Sequence, residues 1–346
     1  MPEAPLHGIR VIELARILAG PWAGQILADL GADVIKIEKP GEGDDTRRWG
    51  PPFVQGADGA DLSAAYYHAA NRGKRSVAID IASPEGAETV RRLIAGADVV
   101  IENFKVGGLK KYGLDYESLR QVNPKLIYCS ITGFGQTGPY AHRAGYDFII
   151  QGMSGLMSIT GAPDGEPQRA GVAITDLFTG LYSVSAILAA IHQRDRTGRG
   201  QHIDMALLDC AVAAMANQAL NYLSTGTPPE RTGNYHPNLT PYQVFECRDG
   251  HIIIATGNDA QFRRLARVLG MEDLGTQPEY ISNAARIAHR AQLTEALETG
   301  TRQLAKDDLL AACEAEGIPA GPINDMAEVF ADPQVRARGL QIAPEG

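Results

Sequence analysis

The chain has 346 residues, of which 44% are hydrophobic and 21% charged, values typical of a soluble globular protein with one large or two ordinary domains. Its net charge of −9 disfavours general nucleic-acid binding, which needs a basic face. The four cysteines form no close pair, so we expect free thiols in a reducing cytoplasm. No secretory signal opens the sequence, and no uninterrupted run of about 18 apolar residues predicts a membrane span.

The first half of the chain alternates short apolar runs with helical patterns. Strands are predicted at 9–15, 33–39, 76–81, 98–103 and 125–132. Helices are predicted over 21–32 and 83–97, the second with Ser83 as a favourable helix start. Strands separated by helices of this length are typical of βαβ units and a parallel sheet. Residues 39–61 are rich in glycine, proline and aspartate and are predicted to form a long loop.

The second half is predicted to be mainly helical from 177 to about 225, with a strand at 201–205. A linker follows at 224–241. The segment 242–256 predicts a hairpin in which Asp249 and Gly250 form the tight turn. Further helical patterns lie at 259–269 and 283–316.

These patterns predict three parts of the chain. Residues 1–225 form a large domain built on the parallel sheet, and residues 226–320 form a smaller α+β domain. The last segment, 321–346, is long enough to return to the large domain.

Asp176 stands alone among apolar and small residues in "RAGVAITDLFTGLYS", residues 169–183. It directly precedes an apolar helical pattern over 177–191. An aspartate in that place commonly caps the helix by accepting a backbone N–H bond. It can also serve as a carboxylate nucleophile in a dry pocket. From this stretch alone both interpretations stay open.

Several common catalytic patterns are missing from the sequence. The turn after the first predicted strand is not G-x-G-x-x-G, which disfavours a nicotinamide-dependent enzyme. Neither a Walker A motif nor a G-x-S-x-G motif is present, and the eight histidines have no metal-ligand spacing. We therefore expect no metal site.

Basic residues cluster near the predicted carboxyl ends of the strands, where parallel sheets bind ligands. Lys39 and Lys105 follow two such ends directly. Several cations there would suit a polyphosphate ligand, although a solvated surface explains any one of them. Four aromatic residues from separate loops or element ends are either core residues or walls of a dry pocket: Trp49, Tyr66, Phe134 and Tyr146.

Long runs of the sequence resemble the family III (CaiB/BaiF-type) coenzyme A transferases. They include "LAGPWAGQILADLGADVIKIEKPGEGDDTR", "NRGKRSVAIDI", "ADVVIENF", "RAGYDFIIQGMSGLMSITG", "GVAITDLFTG" and "TGRGQHIDMALLD", and they span nearly the whole chain in family order. Within the family, "GDDTRRWGPPFV" with "RAGYD" most resembles the succinyl-CoA:glutarate and related dicarboxylate transferases. The resemblance implies a Rossmann-like large domain, a small α+β domain and a homodimer of two subunits interlinked as rings.

The resemblance also implies a reaction and its residues. CoA would move from an acyl-CoA, most simply succinyl-CoA, to a small carboxylic or dicarboxylic acid, with no tightly bound cofactor. Asp176 would be the nucleophile, passing through an aspartyl anhydride and an aspartyl-CoA thioester. The acyl group would be bound by Trp49, Tyr66, Tyr146 and Asp147. The CoA nucleotide would be bound by Arg16, Lys39, Asn103, Phe104 and Lys111.

The helix beginning beside Asp176 is expected to keep its carboxylate ionised and to offer N–H groups to a developing oxyanion. Small neighbours such as Gly171 and Gly180 would let a substrate approach closely. Three arginines are candidates for the far carboxylate of a dicarboxylic acid: Arg16, Arg47 and Arg169.

The chain departs from members of the family at two points, and alternative functions stay open. Racemases of the family carry "GHD" where this chain has "GYD", which argues against racemase activity. An acyl-CoA racemase, a CoA-transfer step serving dehydration on the same fold, and a non-catalytic acyl-CoA binding protein remain the alternatives. Family members usually continue for some tens of residues beyond the position of Gly346, so the resemblance implies a further C-terminal segment.

Overall fold

The structure, a computed structural model, describes residues 4–343. The chain divides into two compact units. The first unit runs to Gly161 and resumes from Glu166 to Arg231. The second comprises Ala162–Gly165 and the chain from Thr232 onward.

The first unit contains the strands and helices of an α/β fold. Its strands are β1 Arg10–Glu13, β2 Asp33–Glu38, β3 Phe53–Gln55, β4 Asp61–Ala64, β5 Arg75–Ala78, β6 Val99–Glu102, β7 Ile127–Thr132 and β8 Gln201–Ala206. Its helices are α1 Ala19–Asp29, α2 Ala65–Ala69, α3 Pro84–Ala95, α4 Tyr116–Val122, α5 Asp147–Met153, α6 Leu156–Ile159, α7 Ile174–Thr197, α8 Leu207–Ala214 and α9 Ala216–Thr225. Short 3₁₀ helices lie at Asp45–Arg48 and Lys110–Tyr112.

Six of the strands form one parallel sheet in the order β5-β2-β1-β6-β7-β8. Counted along the chain, this order is 3-2-1-4-5-6, which is that of a Rossmann-type doubly wound sheet. The strand order reverses between β1 and β6. The carboxyl ends of these two strands therefore form the crevice where such sheets bind ligands.

Apolar residues cover both faces of this sheet, as expected for parallel strands that are buried on both sides. On β1, Val11 packs into a core shared with α1 and α7, whereas the next residue, Ile12, packs into a core shared with α3 and α4. Gly180 lets α7 approach α1 closely, because a Cβ atom there would lie 3.0 Å from the Ala19 carbonyl oxygen.

The parallel sheet confirms the α/β class, and each predicted strand of the large domain overlaps an observed one. Ser83 caps α3 as expected, accepting a hydrogen bond from the N–H of Gly86. The prediction of a long loop over 39–61 was wrong in part. That stretch contains the 3₁₀ helix Asp45–Arg48, strand β3 and the start of β4, and β3 and β4 pair in an antiparallel hairpin. The two short strands were not predicted because the glycine, proline and aspartate residues of this stretch are typical of turns.

Helix α7 begins at Ile174, three residues before the predicted start, and its N-cap residue is Ala173. Asp176 therefore lies in the first turn of the helix, and the interpretation of Asp176 as the N-cap was wrong. Thr175 is buried although it is polar, so the apolar periodicity did not include the first turn of this helix.

Helix α7 is also long and apolar enough, by length and composition alone, to cross a membrane. Core helices of water-soluble domains meet the same criterion, so this is weak evidence. In this structure α7 packs against α1, α8, β7 and β8.

The second unit has its own sheet and core. Strands β9 Tyr242–Cys247, β10 Gly250–Ala255 and β11 Ala320–Pro322 form an antiparallel sheet with β10 in the centre. Its helices are α10 Asp259–Val268, α11 Asn283–Ala288, α12 Arg290–Thr301, α13 Lys306–Ala315, α14 Met326–Ala331 and α15 Pro333–Ala337, with a 3₁₀ helix at Glu272–Gly275. Phe245, Phe262 and Leu309 are fully buried in its core.

The predicted hairpin is present with a shifted turn. Cys247 pairs with Gly250, so the two loop residues are Arg248 and Asp249, and Gly250 begins β10. The predicted domain limits at 225 and 320 and the return of residues 321–346 to the large domain stay predictions. The described residues after 320 belong to the second compact unit.

Gly200 gives a test of how tightly the sheet is packed. A Cβ atom there would lie 2.0 Å from the Leu126 carbonyl oxygen, and a backbone atom cannot turn aside as a side chain can. We expect Gly200→Ala to lower the free energy of unfolding by about 1–3 kcal/mol in urea titrations. Gly96→Ala is the matched control, because its Cβ would meet its nearest atom only at 3.9 Å. A change of more than about 0.5 kcal/mol in the control, or none in Gly200→Ala, would contradict this account.

Candidate active site

The chain leaves β1 and β6 at the point where the strand order reverses, and one side chain ties these two exits together. The main-chain N–H of Arg16 donates to Asn103 Oδ1 over 2.9 Å, and Asn103 Nδ2 donates to the Arg16 carbonyl over 2.7 Å. The Arg16 guanidinium also lies 6.0 Å from the ring centroid of Phe104. Three of the five residues predicted to bind CoA are therefore neighbours at this edge.

A cavity of about 280 Å³ opens beside this bridge and contains Asp176 in its wall; we call it the Asp176 cavity. Its predicted site residues are Arg16, Asn103, Phe104, Tyr146, Asp147 and Asp176. Other parts of its wall come from Ile17–Ala19 at the start of α1 and from Gly133 and Gly145. The last two approach so closely that a Cβ on Gly133 would lie 2.5 Å from the Gly145 Cα, so neither position accepts a side chain.

The Asp176 carboxylate has no hydrogen-bond or ion-pair partner within residues 4–343. Burial raises the pKa of this carboxyl to about 7, and the nearby negative charge of Asp147 adds to the rise. The raised pKa runs against the expectation that the helix start keeps Asp176 ionised, and that expectation stays a prediction.

Asp147 accepts hydrogen bonds from the N–H groups at the start of α7. Its Oδ1 accepts hydrogen bonds from the N–H of Thr175 at 2.8 Å, the Thr175 hydroxyl at 2.6 Å and the N–H of Asp176 at 3.4 Å. Asp147 thus caps α7 from a different helix. The first N–H groups of α7 are already used, so they are not the free oxyanion donors that were expected from the sequence.

The three predicted aromatic residues occupy different positions. Trp49 and Tyr66 pack edge to face with ring centroids 5.4 Å apart. Burial raises the pKa of Tyr66, and the charges of Asp176 and Asp147 contribute, so this phenol lies within electrostatic range of the nucleophile candidate. Tyr146 lines the Asp176 cavity directly and is 60% exposed.

A second cavity of about 290 Å³ lies at the carboxyl ends of β1, β2 and β5; we call it the Lys39 cavity. Arg16 and Phe104 line both cavities, so they form a shared wall. Lys39 lines the second cavity and forms an ion pair with Glu42. Lys111 lines neither cavity, but its ammonium lies 4.7 Å from the ring of Tyr112, which lines the Lys39 cavity.

The three arginines that were considered as partners of a distal carboxylate differ in their contacts. Arg47 donates two 2.7 Å hydrogen bonds to Glu38 and one to the Tyr67 hydroxyl, so its guanidinium is already committed. Arg169 is exposed, 5.7 Å from the ring of Phe148. Arg16 lines the Asp176 cavity and pairs with Asp45 at 2.7 Å.

Sequence reasoning missed part of the site. Arg143 lines the Asp176 cavity and adds positive charge there, and Lys105, expected only as a cation beyond a strand end, lines it too. Arg143 is the first residue of the run "RAGYD", so its place in that run was the available signal. Ile17 adopts a left-handed backbone with φ of 74°, which no sequence pattern indicates. Within the described part of the chain, no cluster of histidine, cysteine, aspartate or glutamate could hold a metal ion.

Comparison with known proteins decides the family. The family model described as CoA-transferase family III matches residues 6–344. The chain belongs to CoA-transferase family III. It is a CoA-transferase with the parallel-sheet fold of the CaiB/BaiF proteins.

Two curated relatives and one solved structure are highly similar to this CoA-transferase. The succinate–glutarate CoA-transferase of Agrobacterium fabrum is 64% identical over 340 residues, covering 98% of this chain and 85% of the relative. The human succinyl-CoA:glutarate CoA-transferase is 44% identical over 341 residues, covering 99% of this chain and 76% of the relative. A CaiB/BaiF family protein from Brucella suis is 62% identical and superposes with a TM-score of 0.90, covering 99% of this chain and 90% of that one.

The raised pKa of Asp176 has a measurable effect on stability. Its value is about 7 in the folded chain and near 3.8 when unfolded, so the folded state binds the proton more tightly. The stability of the folded state therefore falls as pH rises from about 4 to about 7 and stays low above that range. We expect Asp176→Asn, which cannot ionise, to stabilise the protein more at about pH 8 than at about pH 5 in urea titrations. Asp209→Asn, at an exposed site in the first turn of α8, is the control. Equal stabilisation by Asp176→Asn at both pH values would contradict the raised pKa.

Proposed function

We propose that this CoA-transferase moves CoA from succinyl-CoA to a small dicarboxylic acid, with glutarate as the first acceptor to test, through covalent intermediates on Asp176. The observation that carries the proposal is the Asp176 carboxylate, which has no partner among the described residues and lies in the wall of a cavity at the ligand-binding edge of the sheet. The names of two relatives that cover nearly the whole chain support the choice of substrates.

In the first half of the reaction, an Asp176 oxygen attacks the thioester carbonyl carbon of succinyl-CoA. The carbon–sulfur bond breaks, giving a mixed anhydride and CoA thiolate. The thiolate then attacks the Asp176 acyl carbon, the anhydride C–O bond breaks and succinate leaves. The product is an aspartyl-CoA thioester on the protein. Splitting one difficult transfer into several easier exchanges is the general advantage of covalent catalysis.

In the second half, a carboxylate oxygen of the acceptor acid attacks the aspartyl thioester and releases CoA thiolate again. The thiolate attacks the acceptor's acyl carbon in the new anhydride, and the Asp176 carboxylate is regenerated. Each step exchanges one activated acyl bond for another, so no proton is consumed overall. Water would hydrolyse every one of these intermediates, so exclusion of water is a functional requirement.

The electrostatics of the site suit a carboxylate nucleophile. With a pKa of about 7, a large fraction of Asp176 is ionised near neutral pH, and its basicity is higher than that of an ordinary aspartate. Leu18 and Ala19, at the start of α1, lie in the cavity wall. The first N–H groups of a helix have no partner within the helix. They are the donors best placed for an oxyanion formed at Asp176 or at the thioester.

We assign different parts of the substrate to the two cavities. We place the nucleotide part of CoA in the Lys39 cavity and the thioester in the Asp176 cavity. Arg16 and Phe104, which line both, would lie along the connecting pantetheine chain, with Asn103 holding their strand ends together. Lys111 would add charge near the phosphates, and Trp49, Tyr66 and Tyr146 would enclose the acyl group.

We infer that the active form is the interlinked homodimer that the family resemblance implies. The first unit exposes many large apolar side chains on α5, α7, α8 and α9: Phe148, Ile149, Met153, Leu181, Tyr182, Val212, Leu220, Tyr222 and Leu223. Extended apolar surfaces of this kind usually mark an interface. A second copy of the chain would cover it, and a membrane is not required.

The dimer is tested by mass in solution. We expect sedimentation equilibrium to give twice the mass of one chain at micromolar concentration. Leu223→Asp, which places a charge on the most exposed of these side chains, should shift the protein toward the monomer. A wild-type protein that sediments as a monomer would contradict the dimer and leave the Asp176 chemistry to be judged separately.

We further propose a cytoplasmic location and no tightly bound cofactor. The four cysteines are buried free thiols, as expected in a reducing compartment. The reaction needs only CoA thioester and free acid, and cell fractionation tests the location directly.

The covalent intermediate is tested by trapping. The protein is incubated with succinyl-CoA and quenched with hydroxylamine or borohydride, and the modified peptide is mapped by mass spectrometry. We expect a hydroxamate or a reduced side chain at Asp176. Asp176→Ala should bind CoA but neither label nor transfer, and Asp176→Glu should also fail, because one extra methylene displaces the attacking oxygen.

Asp209→Ala is the matched control, because it removes an exposed aspartate from the first turn of the neighbouring helix. It should label and transfer as the wild type does. Bound CoA with no label at Asp176 would overturn the proposal in favour of a racemase, a dehydration-linked step or a non-catalytic acyl-CoA binding protein.

A further inference from the structure

Four charged side chains are buried together beneath the start of α1: Glu13, Lys36, Asp44 and Lys74. Lys36 Nζ lies 2.8 Å from Glu13 Oε1 and 2.9 Å from Asp44 Oδ2, and Lys74 Nζ lies 2.9 Å from Glu13 Oε2. All four side chains are at most 2% exposed. Two carboxylates and two ammonium groups balance, which is the condition under which buried charges are tolerated.

This cluster also binds the main chain that lines the Asp176 cavity. Lys36 Nζ donates to the Ala15 carbonyl over 2.8 Å, and Lys74 Nζ donates to the Pro21 carbonyl over 2.7 Å. Between them, the N–H of Ile17 donates to both oxygens of Asp44, at 3.3 and 3.2 Å. Together with the Asn103 bridge to Arg16, these bonds fix the segment 15–21 at four successive points.

The segment is held in a conformation that it would not adopt by itself. Ile17 has a φ of 74°, in the left-handed region, which is strongly unfavourable for a β-branched residue. A backbone strain of this kind persists only where the surroundings impose it. Ile17 and the next two residues line the Asp176 cavity, so the strained turn sets the distance between the start of α1 and the nucleophile.

We propose that Asp44 is a positioning residue for CoA transfer, which holds Ile17 in its left-handed conformation and thereby fixes the start of α1 against Asp176. Lys36 keeps the Asp44 carboxylate charged and oriented. The inference rests on the proposed function, since it takes Asp176 as the acylated residue. Asp44 itself lines neither cavity and acts only through the main chain of Ile17.

The charge on Asp44 is essential to this role. Burial favours its neutral form, but the Lys36 ammonium and the hydrogen bonds from Thr46 outweigh burial and lower its pKa. Both carboxylate oxygens then accept the Ile17 N–H. An amide at position 44 would keep one acceptor oxygen, lose the second and lose the contact with Lys36.

The test is a double-mutant cycle between Asp44 and Ile17. In Asp44→Asn, we expect the rate of Asp176 labelling in a single turnover to fall about tenfold or more, with the KM for succinyl-CoA changed less than about twofold, because the reacting groups are misplaced but CoA contacts remain. Ile17→Gly removes the backbone strain. In that background the same Asp44→Asn change should cost less than about threefold.

A charge-balanced double variant, a second background and a matched control complete the test. Lys36→Met combined with Asp44→Asn removes one charge of each sign, so the cluster stays neutral if Asp44→Asn alone folds poorly. Ile17→Asn is a second background, because asparagine tolerates the left-handed region better than isoleucine. Asp98→Asn is the matched control: it removes a carboxylate paired with the largely buried Arg194, at the amino-terminal edge of the same sheet. It should lower stability without slowing labelling.

The outcomes separate this proposal from the proposed function. Equal losses from Asp44→Asn in the wild-type and Ile17→Gly backgrounds would show that Asp44 does not act through Ile17 and would overturn the positioning role. The same slowing in Asp98→Asn would attribute the loss to stability and would overturn it too. Wild-type protein that never labels at Asp176 would overturn the proposed function itself. A loss in Asp44→Asn that Ile17→Gly or Ile17→Asn relieves is the result that supports the proposal.

Discussion

The side chain of Asn103 makes the contact on which the rest of the site depends. Its two hydrogen bonds to the main chain of Arg16 join the ends of β1 and β6, where the sheet reverses its strand order. Both cavities open beside this bridge, and Arg16 and Phe104 line both of them. The bridge adds a side-chain contact between two loops whose strands already pair, and it thereby helps to fix the wall that the two cavities share.

The buried charged side chains in this region have two opposite kinds of surroundings. Glu13, Lys36, Asp44 and Lys74 are buried and form ion pairs with one another, and the two lysines and Asp44 hold the main chain in place. Asp176 is largely buried and has no partner in the part of the chain that the structure describes, and burial raises its pKa. The first arrangement gives rigidity, and the second gives reactivity. The rigid cluster lies directly under the segment that faces the reactive group, so strain in the backbone and an unfavourable charge occur within the same small volume.

The sheet could be predicted from the sequence because apolar runs and turn residues are local signals. The site was predicted only in part. Asp176 and its neighbours were found through a family resemblance, but the cap on α7 comes from Asp147, 29 residues away, and no local pattern reveals such a contact. The hairpin of β3 and β4 was missed because its strands are very short and lie in a loop-like composition. Arg47 had the right charge for a substrate carboxylate, but Glu38 occupies it, and only the fold shows that partner.

The cap that Asp147 provides has a consequence for the energetics of the intermediates. It keeps a second negative charge close to Asp176 and disfavours the ionised nucleophile. Acylation of Asp176, as proposed, would convert that carboxylate into a neutral acyl group and end the repulsion between the two residues. The free enzyme would thus be raised in energy relative to the anhydride and the thioester, and the final release of product would restore the repulsion. Asp147 would in this way bring the energies of the free enzyme and of the acylated intermediates closer together.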